Sequence, residues 1–205
     1  MSDFGLTIIG ERINPGFRSS AALLSAKDLP GLQALARKQV DAGARLLNIN
    51  VGRECERDAG FMCDVIRAVQ EAVAVPLSFD SPDPAVQRSC LAIYDAERAG
   101  GRPVVNSLTE HRIDMLDCAE VAPLRMLIMA SERVENGRVV QNTSPEQVHA
   151  TAARLVDSAR SRGWTADDCI IDVSIGPMAS DMEGITRRAL QSIERSKNAA
   201  ANAPA

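Results

Sequence analysis

Short apolar runs alternate with longer segments of helical periodicity along most of the chain. Between the runs, apolar residues recur every three or four positions, as in the segment that contains Val65, Ile66 and Val69. Short apolar runs are typical of buried strands, and the intervening spacing is typical of amphipathic helices. The pattern therefore predicts six strands that alternate with helices. The six runs are LTIIG (6–10), RLLNINV (45–51), PLSFD (76–80), PVVNS (103–107), RMLIM (125–129) and CIIDV (169–173).

The later helices carry terminal signals. We expect the fourth helix over residues 113–122, the fifth over 144–162 and the sixth over 181–195. In the fifth, Ser144 and Gln147 have the spacing of a capping box, in which each side chain pairs with the backbone N–H of the other. Gly163 supplies a stop, because glycine readily adopts the left-handed conformation that ends many helices.

The alternation of strands and helices also predicts the fold class. Apolar strands separated by helices indicate a parallel sheet covered by helices, in either a doubly wound α/β sheet or a (β/α) barrel. No linker-like segment interrupts the pattern, so we expect one domain over residues 1–195. Residues 196–205, SKNAAANAPA, lack apolar periodicity and are expected to form a disordered tail.

Polar residues concentrate at the C-terminal ends of the predicted strands. In a parallel α/β protein these ends share one face, which is where such proteins bind ligands. Carboxylates accept from adjacent N–H groups and carboxamides both donate and accept, so together they suit a flat heterocycle with amide-like edges. A phosphate ligand would require glycine-rich turns and basic residues, and neither G-x-G-x-x-G nor a P-loop lysine motif occurs. The strand-end residues are Glu11, Arg12, Asn14, Asn48, Asn50, Asp80, Asn106 and Asp172.

These residues also have structural interpretations. Asp80 and Asn106 could be turn or helix-cap residues. The two asparagines of the second run share one face of their strand and could form a structural hydrogen-bond network. The Glu–Arg pair after the first run could form an internal salt bridge. For Asp172 the sequence context favours a functional role, because burying an unpaired carboxylate between apolar residues destabilises the fold.

Composition and charge exclude several classes of function. A chain of 205 residues with 45% hydrophobic content can bury a sizeable core. A net charge of −4 disfavours proteins that bind nucleic acid or anionic membranes through a basic surface. No apolar run approaches the ~20 residues of a membrane helix, and the N-terminus lacks a secretion signal. We therefore expect a cytoplasmic protein.

Cysteines and histidines offer no metal or disulfide pattern. The five cysteines form no C-x-x-C and are odd in number, so reduced, mostly buried thiols are expected. His111 and His149 have no cluster of Cys, His or Asp at ligand spacing around them, so no metal site is expected. His111 follows the fourth strand and could border the strand-end face.

Five motifs in order between about residues 7 and 195 carry a family resemblance. They are IGERINP, AGARLLNINVG, PLSFDSP, PVVNS and IIDVSIGP. Together they resemble the pterin-binding methyltransferase family, which includes methyltetrahydrofolate:corrinoid methyltransferases and the folate domain of cobalamin-dependent methionine synthase. Dihydropteroate synthase shares the fold, but its glycine-rich loop ending in lysine after the sixth strand is missing here. Synthase activity is therefore the weaker interpretation.

The resemblance implies a dihydropteroate synthase-like, TIM-type (β/α) barrel whose mouth binds the pterin of a folate. Asp80, Asn106 and Asp172 would hydrogen-bond the pterin ring, and Asn14 would border the same site. Glu11, Asn48 and Asn50 would support these residues. The implied reaction transfers methyl from methyltetrahydrofolate, which becomes tetrahydrofolate, to the cobalt of a corrinoid (cobalamin) carried by a partner protein.

The chain departs from the family pattern in the number of units. Six of the eight strand–helix units are present, and the family's strand-7 asparagine, which contacts the methyl-bearing nitrogen, has no counterpart. The catalytic residue is therefore unknown, and Val173 replaces the family's proline after Asp172. A non-catalytic pterin-binding module and a truncated or vestigial barrel acting as a partner subunit remain alternatives. Six strands leave unpaired edges, so we expect a homodimer or a subunit that completes the barrel.

Overall fold

The structure, a computed structural model, describes residues 5–53, 58, 60–175, 181 and 184–201. This part of the chain contains eight strands and six α-helices. The strands are β1 (Ile9–Ile13), β2 (Leu46–Ile49), β3 (Leu77–Asp80), β4 (Val104–Leu108), β5 (Arg125–Met129), β6 (Glu132–Glu135), β7 (Arg138–Gln141) and β8 (Cys169–Asp172). The α-helices are α1 (Arg18–Ser25), α2 (Leu29–Asp41), α3 (Phe61–Ala72), α4 (Pro84–Ile93), α5 (Pro145–Arg160) and α6 (Ile185–Ala201), and two 3₁₀-helices span Ile113–Glu120 and Ala166–Asp168.

Six strands form one sheet in the order β1-β2-β3-β4-β5-β8. All six predicted strands are present, and the parallel α/β fold is confirmed. The register pairs Leu47 with Leu77, and Ser78 with Val104. β1 and β8 end the strand order, and within the described residues the sheet does not close on itself.

The described residues divide into two compact units. One lies within Met1–Asn106 and Asp117–Arg125, and the other within Ser107–Leu116 and Met126–Ala205. The first contains β1, β2, β3 and helices α1 to α4, and the second contains the β6–β7 hairpin, β8, α5 and α6. The expectation of a single domain over residues 1–195 stays a prediction.

The core of the first unit follows from the periodic apolar positions. Leu32 of α2, Ile66 and Val69 of α3, Leu47 of β2 and Phe79 of β3 are completely buried. Burying such a side chain stabilises the fold by about 1.5–3 kcal/mol relative to leaving it exposed. Packing against the helices therefore holds the strands of this unit in place. It also fixes the positions of their polar C-terminal ends.

β1 lies three residues further along the chain than predicted. Leu6 and Ile8 are 79% and 54% exposed, and the strand continues to the buried Ile13 with an irregular register after Gly10. At this irregularity the backbone of Arg12 pairs with side chains: Gln39 Oε1 accepts from its N–H at 2.8 Å. Ser20 Oγ donates to its carbonyl at 2.5 Å. Glu11 and Arg12 therefore lie inside the strand, and the prediction that they follow it was wrong.

Two elements were not predicted. α1 precedes the first predicted helix, and the β6–β7 hairpin separates β5 from α5. The hairpin turns at Asn136 and Gly137, whose φ angles of 52° and 75° are those of a type I′ turn. The Asn-Gly pair was a readable signal, but the flanking segment is rich in charge and lacks a conspicuous apolar run.

The predicted termini of the fifth helix are confirmed, whereas the fourth and sixth helices differ from the prediction. Ser144 Oγ accepts from the Gln147 N–H and Gln147 Oε1 accepts from the Ser144 N–H, each at 3.3 Å, which is the predicted capping box. α5 ends before Gly163, whose φ is 87°. The segment Ile113–Glu120 is a 3₁₀-helix rather than an α-helix. α6 continues to Ala201, beyond the predicted end at residue 195, and residues 202–205 of the predicted tail lie outside the described residues.

The cysteines in the described part of the chain are thiols. Cys63, Cys90 and Cys118 are buried and Cys169 is half-buried, whereas Cys55 lies outside the described residues. No helix among the described residues combines the length and the apolar character needed to cross a bilayer.

Candidate functional site

Four of the predicted site residues meet beside the C-terminal ends of β2 and β3 and the middle of β4. Asp80 is the last residue of β3, and its carboxylate Oδ2 accepts from Asn48 Nδ2 at 3.1 Å and from Asn50 Nδ2 at 2.9 Å. Asn106 Nδ2 donates to Asn48 Oδ1 at 3.4 Å. These four side chains therefore form one connected network centred on Asp80.

The parallel register brings these side chains together. Asp80 is the register partner of Asn106 on β4. Asn48 and Asn50 are two positions apart along an extended segment, so both point to the same side of the sheet. Asn48 is only 3% exposed, which makes its two side-chain hydrogen bonds important for stability as well as for the geometry of the site.

A tight turn at Gly52 holds Asn50 in place. Asn50 Oδ1 accepts from the Gly52 N–H at 2.8 Å, and the Asn50 N–H donates to the Ile13 carbonyl at 3.0 Å. Gly52 has a φ of 58°, and a Cβ added there would lie 2.6 Å from Cγ of Pro15. Both the backbone conformation and the space therefore require glycine at this position.

A cavity of about 270 Å³ opens beside this network, close to the lower end of typical ligand pockets. Its wall combines the Asp80 carboxylate with apolar surface from Pro82 and Val86. The hydrogen bonds from Asn48 and Asn50 both reach Oδ2 of Asp80, and within the described residues none reaches Oδ1. A ligand in the cavity can therefore donate to that oxygen. The lining residues are Asn50, Gly52, Arg53, Asp80, Ser81, Pro82, Asp83 and Val86.

Asp83 performs the capping role that was an alternative for Asp80. Asp83 is the N-cap of α4, and its Oδ1 accepts from the Ala85 N–H at 2.8 Å. Ser81 Oγ accepts from the Asp83 N–H at 3.3 Å, and Pro84 occupies the first turn of the helix. The helix end is therefore satisfied without Asp80, whose carboxylate remains with the asparagines.

In the second unit, Asp172 is the last residue of β8. It pairs with Met129 of β5, and its Oδ1 accepts from the Ser174 N–H at 2.7 Å. Ser174 has a φ of 57°, which is uncommon for a residue with a side chain. The side chain of Asp172 thus closes a strained turn at the strand end, and its role in pterin binding stays a prediction.

Asn14 and Arg12 are engaged elsewhere in the first unit. Asn14 Oδ1 accepts from the Gly16 N–H at 2.8 Å, which forms a turn that leads into α1. Arg12 Cζ lies 4.1 Å from the centroid of the Phe17 ring, and its Nη2 donates to Ser19 Oγ at 3.3 Å. The predicted positions of Asn14 at the border of the site and of Glu11 as a supporting residue stay predictions.

The histidines lie in the second unit. His111 Nδ1 is 3.2 Å from Thr109 Oγ1 and 3.8 Å from Glu132 Oε1. His149 is half-buried on α5. Among the described residues no three His, Cys, Asp or Glu side chains are grouped closely enough to bind a metal ion.

Several cavity residues were missed by sequence reasoning. Arg53, Ser81 and Val86 belong to the loops and the helix turn that directly follow the second and third strands. The sequence signal that could have identified them is their position shortly after the predicted site residues Asn50 and Asp80. Val86 lies in the first turn of α4, and the first turn of a helix after a strand also faces the strand-end side.

Comparison with known proteins identifies relatives with this fold. The family model described as pterin binding enzyme matches residues 11–203. A methylcorrinoid:tetrahydrofolate methyltransferase from Eubacterium limosum is 31% identical over 84 residues, which are 41% of this chain and 31% of that protein. The matched region thus spans less than a third of the relative's length.

Solved structures of dihydropteroate synthases also resemble the chain. The enzyme from Stenotrophomonas maltophilia, with imidazole bound in its active site, has a TM-score of 0.63 and 20% identity over 93% of this chain and 69% of its own. The 7,8-dihydropteroate synthase from Vibrio fischeri ES114 has a TM-score of 0.62 and 14% identity over 94% of this chain and 69% of its own. These likenesses confirm the dihydropteroate synthase-like fold. With the family match over most of its length, the chain belongs to the family of pterin-binding enzymes.

Proposed function

We propose that the protein binds the pterin ring of a folate in the cavity beside Asp80 and takes part in methyl transfer between methyltetrahydrofolate and a corrinoid protein. The observation that carries the proposal is the network of Asn48, Asn50 and Asn106 around Asp80, in a chain of the pterin-binding family. The name of the Eubacterium limosum relative includes both a methylcorrinoid and tetrahydrofolate, which supports the methyl-transfer part.

The hydrogen-bonding atoms of the network match one edge of a pterin. A pterin presents a ring N–H beside an exocyclic amino group, and both of these groups donate. Because Asn106 Nδ2 donates to Asn48, its Oδ1 is the atom left to accept from a ligand. Asp80 Oδ1 is a second acceptor, and hydrogen bonds to a carboxylate are among the stronger ones in proteins.

The proposed reaction depends on positioning the folate and protonating its methyl-bearing nitrogen more than on a nucleophile from this chain. In methyl transfer from methyltetrahydrofolate the methyl group is bonded to a tertiary amine nitrogen. This nitrogen must gain a proton or a strong hydrogen bond by the transition state, so that it leaves as the secondary amine of tetrahydrofolate. A corrinoid carried by the partner protein would supply the cobalt that accepts or donates the methyl group. The residues around Asp80 would bind the ring and orient it toward that partner.

Exposed apolar surface supports an association with another polypeptide. Three apolar side chains of the second unit are exposed: Ile171 on β8 by 38%, Ile175 after β8 by 66% and Leu190 on α6 by 61%. Exposed apolar residues on an edge strand and on a helix are typical of a surface that is covered in an assembly. We propose a homodimer or a completing subunit, which keeps the partner-subunit and non-catalytic pterin-binding alternatives open. The cytoplasmic location stays a prediction.

Isothermal titration with methyltetrahydrofolate tests the proposal. We expect the wild type to bind and Asp80→Ala to bind roughly 10–100-fold more weakly, because an unpaired polar group of the ligand costs about 1–3 kcal/mol. Asp64→Ala is a matched control, since this exposed α3 carboxylate pairs only with Arg67 among the described residues, at 3.2 Å. Absence of binding by the wild type at millimolar ligand would refute the proposed function.

Binding without transfer is distinguished by a second assay. Transfer of methyl from methyltetrahydrofolate to an added corrinoid protein would be followed by the absorbance of the corrinoid. We expect the isolated chain to be slow and a completing partner to accelerate it. Binding with no transfer under either condition would favour the non-catalytic module.

A further inference from the structure

Gln87 connects the backbones of β3 and β4 at the candidate site. It lies in the first turn of α4 and is completely buried. Its amide Nε2 is within hydrogen-bonding distance of three backbone carbonyls. The acceptors are those of Phe79 at 2.7 Å, Ser81 at 2.9 Å and Asn106 at 3.1 Å. Two of these carbonyls flank Asp80, and the third belongs to its register partner.

The side chain of Gln87 is needed because the hydrogen-bond ladder between β3 and β4 ends at Asp80 and Asn106. β3 ends at Asp80, so the carbonyl of Ser81 lies beyond the last strand residue, although Ser81 is buried. A buried carbonyl without a partner destabilises the fold. The glutamine amide replaces the missing ladder bond from the side of α4.

The orientation of the Gln87 amide is dictated by its neighbours. Three carbonyl oxygens surround the terminal nitrogen, so a rotated amide would direct its own oxygen at them. In the observed orientation Oε1 is buried and accepts no hydrogen bond among the described residues. The two N–H groups are thus shared among three acceptors, and one buried acceptor is left unsatisfied to achieve this arrangement.

We infer that Gln87 is a positioning residue of the pterin site, which holds the backbone on both sides of Asp80 and at Asn106 and so sets the relative placement of their side chains. This inference rests on the proposed function, because it concerns the two side chains proposed to bind the ring. Gln87 does not line the cavity and acts through Asp80 and Asn106. Neither its sequence position nor its residue type indicated this role.

A double-mutant cycle tests the inference. Binding of methyltetrahydrofolate is measured by isothermal titration for the wild type, Gln87→Leu, Asp80→Ala and the double variant. We expect Gln87→Leu to raise the Kd about tenfold in the wild type but no more than about threefold when Asp80 is already alanine, since residues that act as a unit are not additive. Gln87→Asn, which keeps a shorter amide, should give an intermediate Kd and replaces Gln87→Leu if that variant does not fold.

A second buried glutamine of the same unit provides the matched control. Gln70 on α3 also binds backbone, donating to the Asp95 carbonyl at 2.8 Å and accepting from its N–H at 3.3 Å. Gln70→Leu should lower the denaturation midpoint and leave the Kd within twofold of the wild type. Equal losses from Gln87→Leu in both backgrounds, or a Gln87→Asn variant that binds like the wild type, would overturn the inference alone. A wild type that binds no ligand would overturn the proposed function and the inference with it.

Discussion

Asp80 at the C-terminal end of β3 and Asn106 in the middle of β4 are register partners, and the side-chain amide of Asn48 bridges them. The amide donates to the carboxylate and accepts from Asn106, so the orientation of both carboxamides follows from the carboxylate. Three chain segments far apart in sequence thus hold the Asp80 carboxylate that lines the cavity. The predictions below follow from this arrangement and from the strand ends around it.

The proposed ring-binding residues should contribute individually to affinity. We expect Asp80→Ala, Asn106→Ala and Asp172→Ala each to weaken binding of methyltetrahydrofolate by about 1–3 kcal/mol, because each leaves a buried polar group of the ligand unpaired. His111→Ala and His149→Ala are the controls and should change little. Isothermal titration measures the Kd of all five variants for methyltetrahydrofolate. Unchanged affinity in the three strand-end variants would place the site elsewhere.

The turn that holds Asn50 should tolerate no side chain at Gly52. Gly52→Ala combines a positive φ with a clash against Pro15, so we expect a loss of more than ~1 kcal/mol in unfolding free energy and weaker ligand binding. Gly43→Ala is the matched control, because Gly43 also has a positive φ, 105°, but nothing within 4 Å of an added Cβ. Urea denaturation compares the two, and equal losses would show that the clash with Pro15 is unimportant.

Tyr94, the sole tyrosine of the chain, should titrate abnormally. Its ring packs edge-on against Phe79 at 5.5 Å between centroids, and burial raises the pKa of Tyr94 to about 12. The folded-state pKa is raised, so the associated stability is fully present below the unfolded pKa of ~10 and is lost as pH rises through the folded value.

Tyrosinate absorbance measures this titration directly, because one tyrosine supplies the whole signal. We expect a midpoint near 10 in denaturant and a clearly higher midpoint in the native protein, accompanied by loss of stability at alkaline pH. Tyr94→Phe should remove the absorbance change and that part of the alkaline instability. A native midpoint near 10 would show that the hydroxyl reaches water freely.

The exposed apolar residues of the second unit should mediate association. We expect light scattering after size exclusion to report a dimer or a complex with a completing subunit, and Ile171→Lys to shift the protein toward monomer. Val139→Lys is a matched control, since Val139 is also an exposed β-branched residue but lies on the β6–β7 hairpin. A monodisperse monomer that binds no apolar dye would contradict the proposed assembly.

Agreement between sequence and structure is best where the signal is local. The run RMLIM forms β5 with the predicted bounds, and Ser144 and Gln147 form the predicted capping box. β1 is displaced because Gln39 and Ser20, from two helices, pair with the backbone of Arg12. No pattern within residues 6–13 contains that information, since the partners come from distant parts of the chain.

By itself the sequence determined the order of strands and helices and the concentration of polar residues at the strand ends, because both depend on periodicity over short windows. The tertiary structure alone decided which of those residues meet. Strand register pairs Asp80 with Asn106. Asp83, not Asp80, caps helix α4, and Asn14 accepts from the Gly16 N–H. Register and helix packing are non-local, so the three acceptors around Gln87 could not be read from the residues beside it.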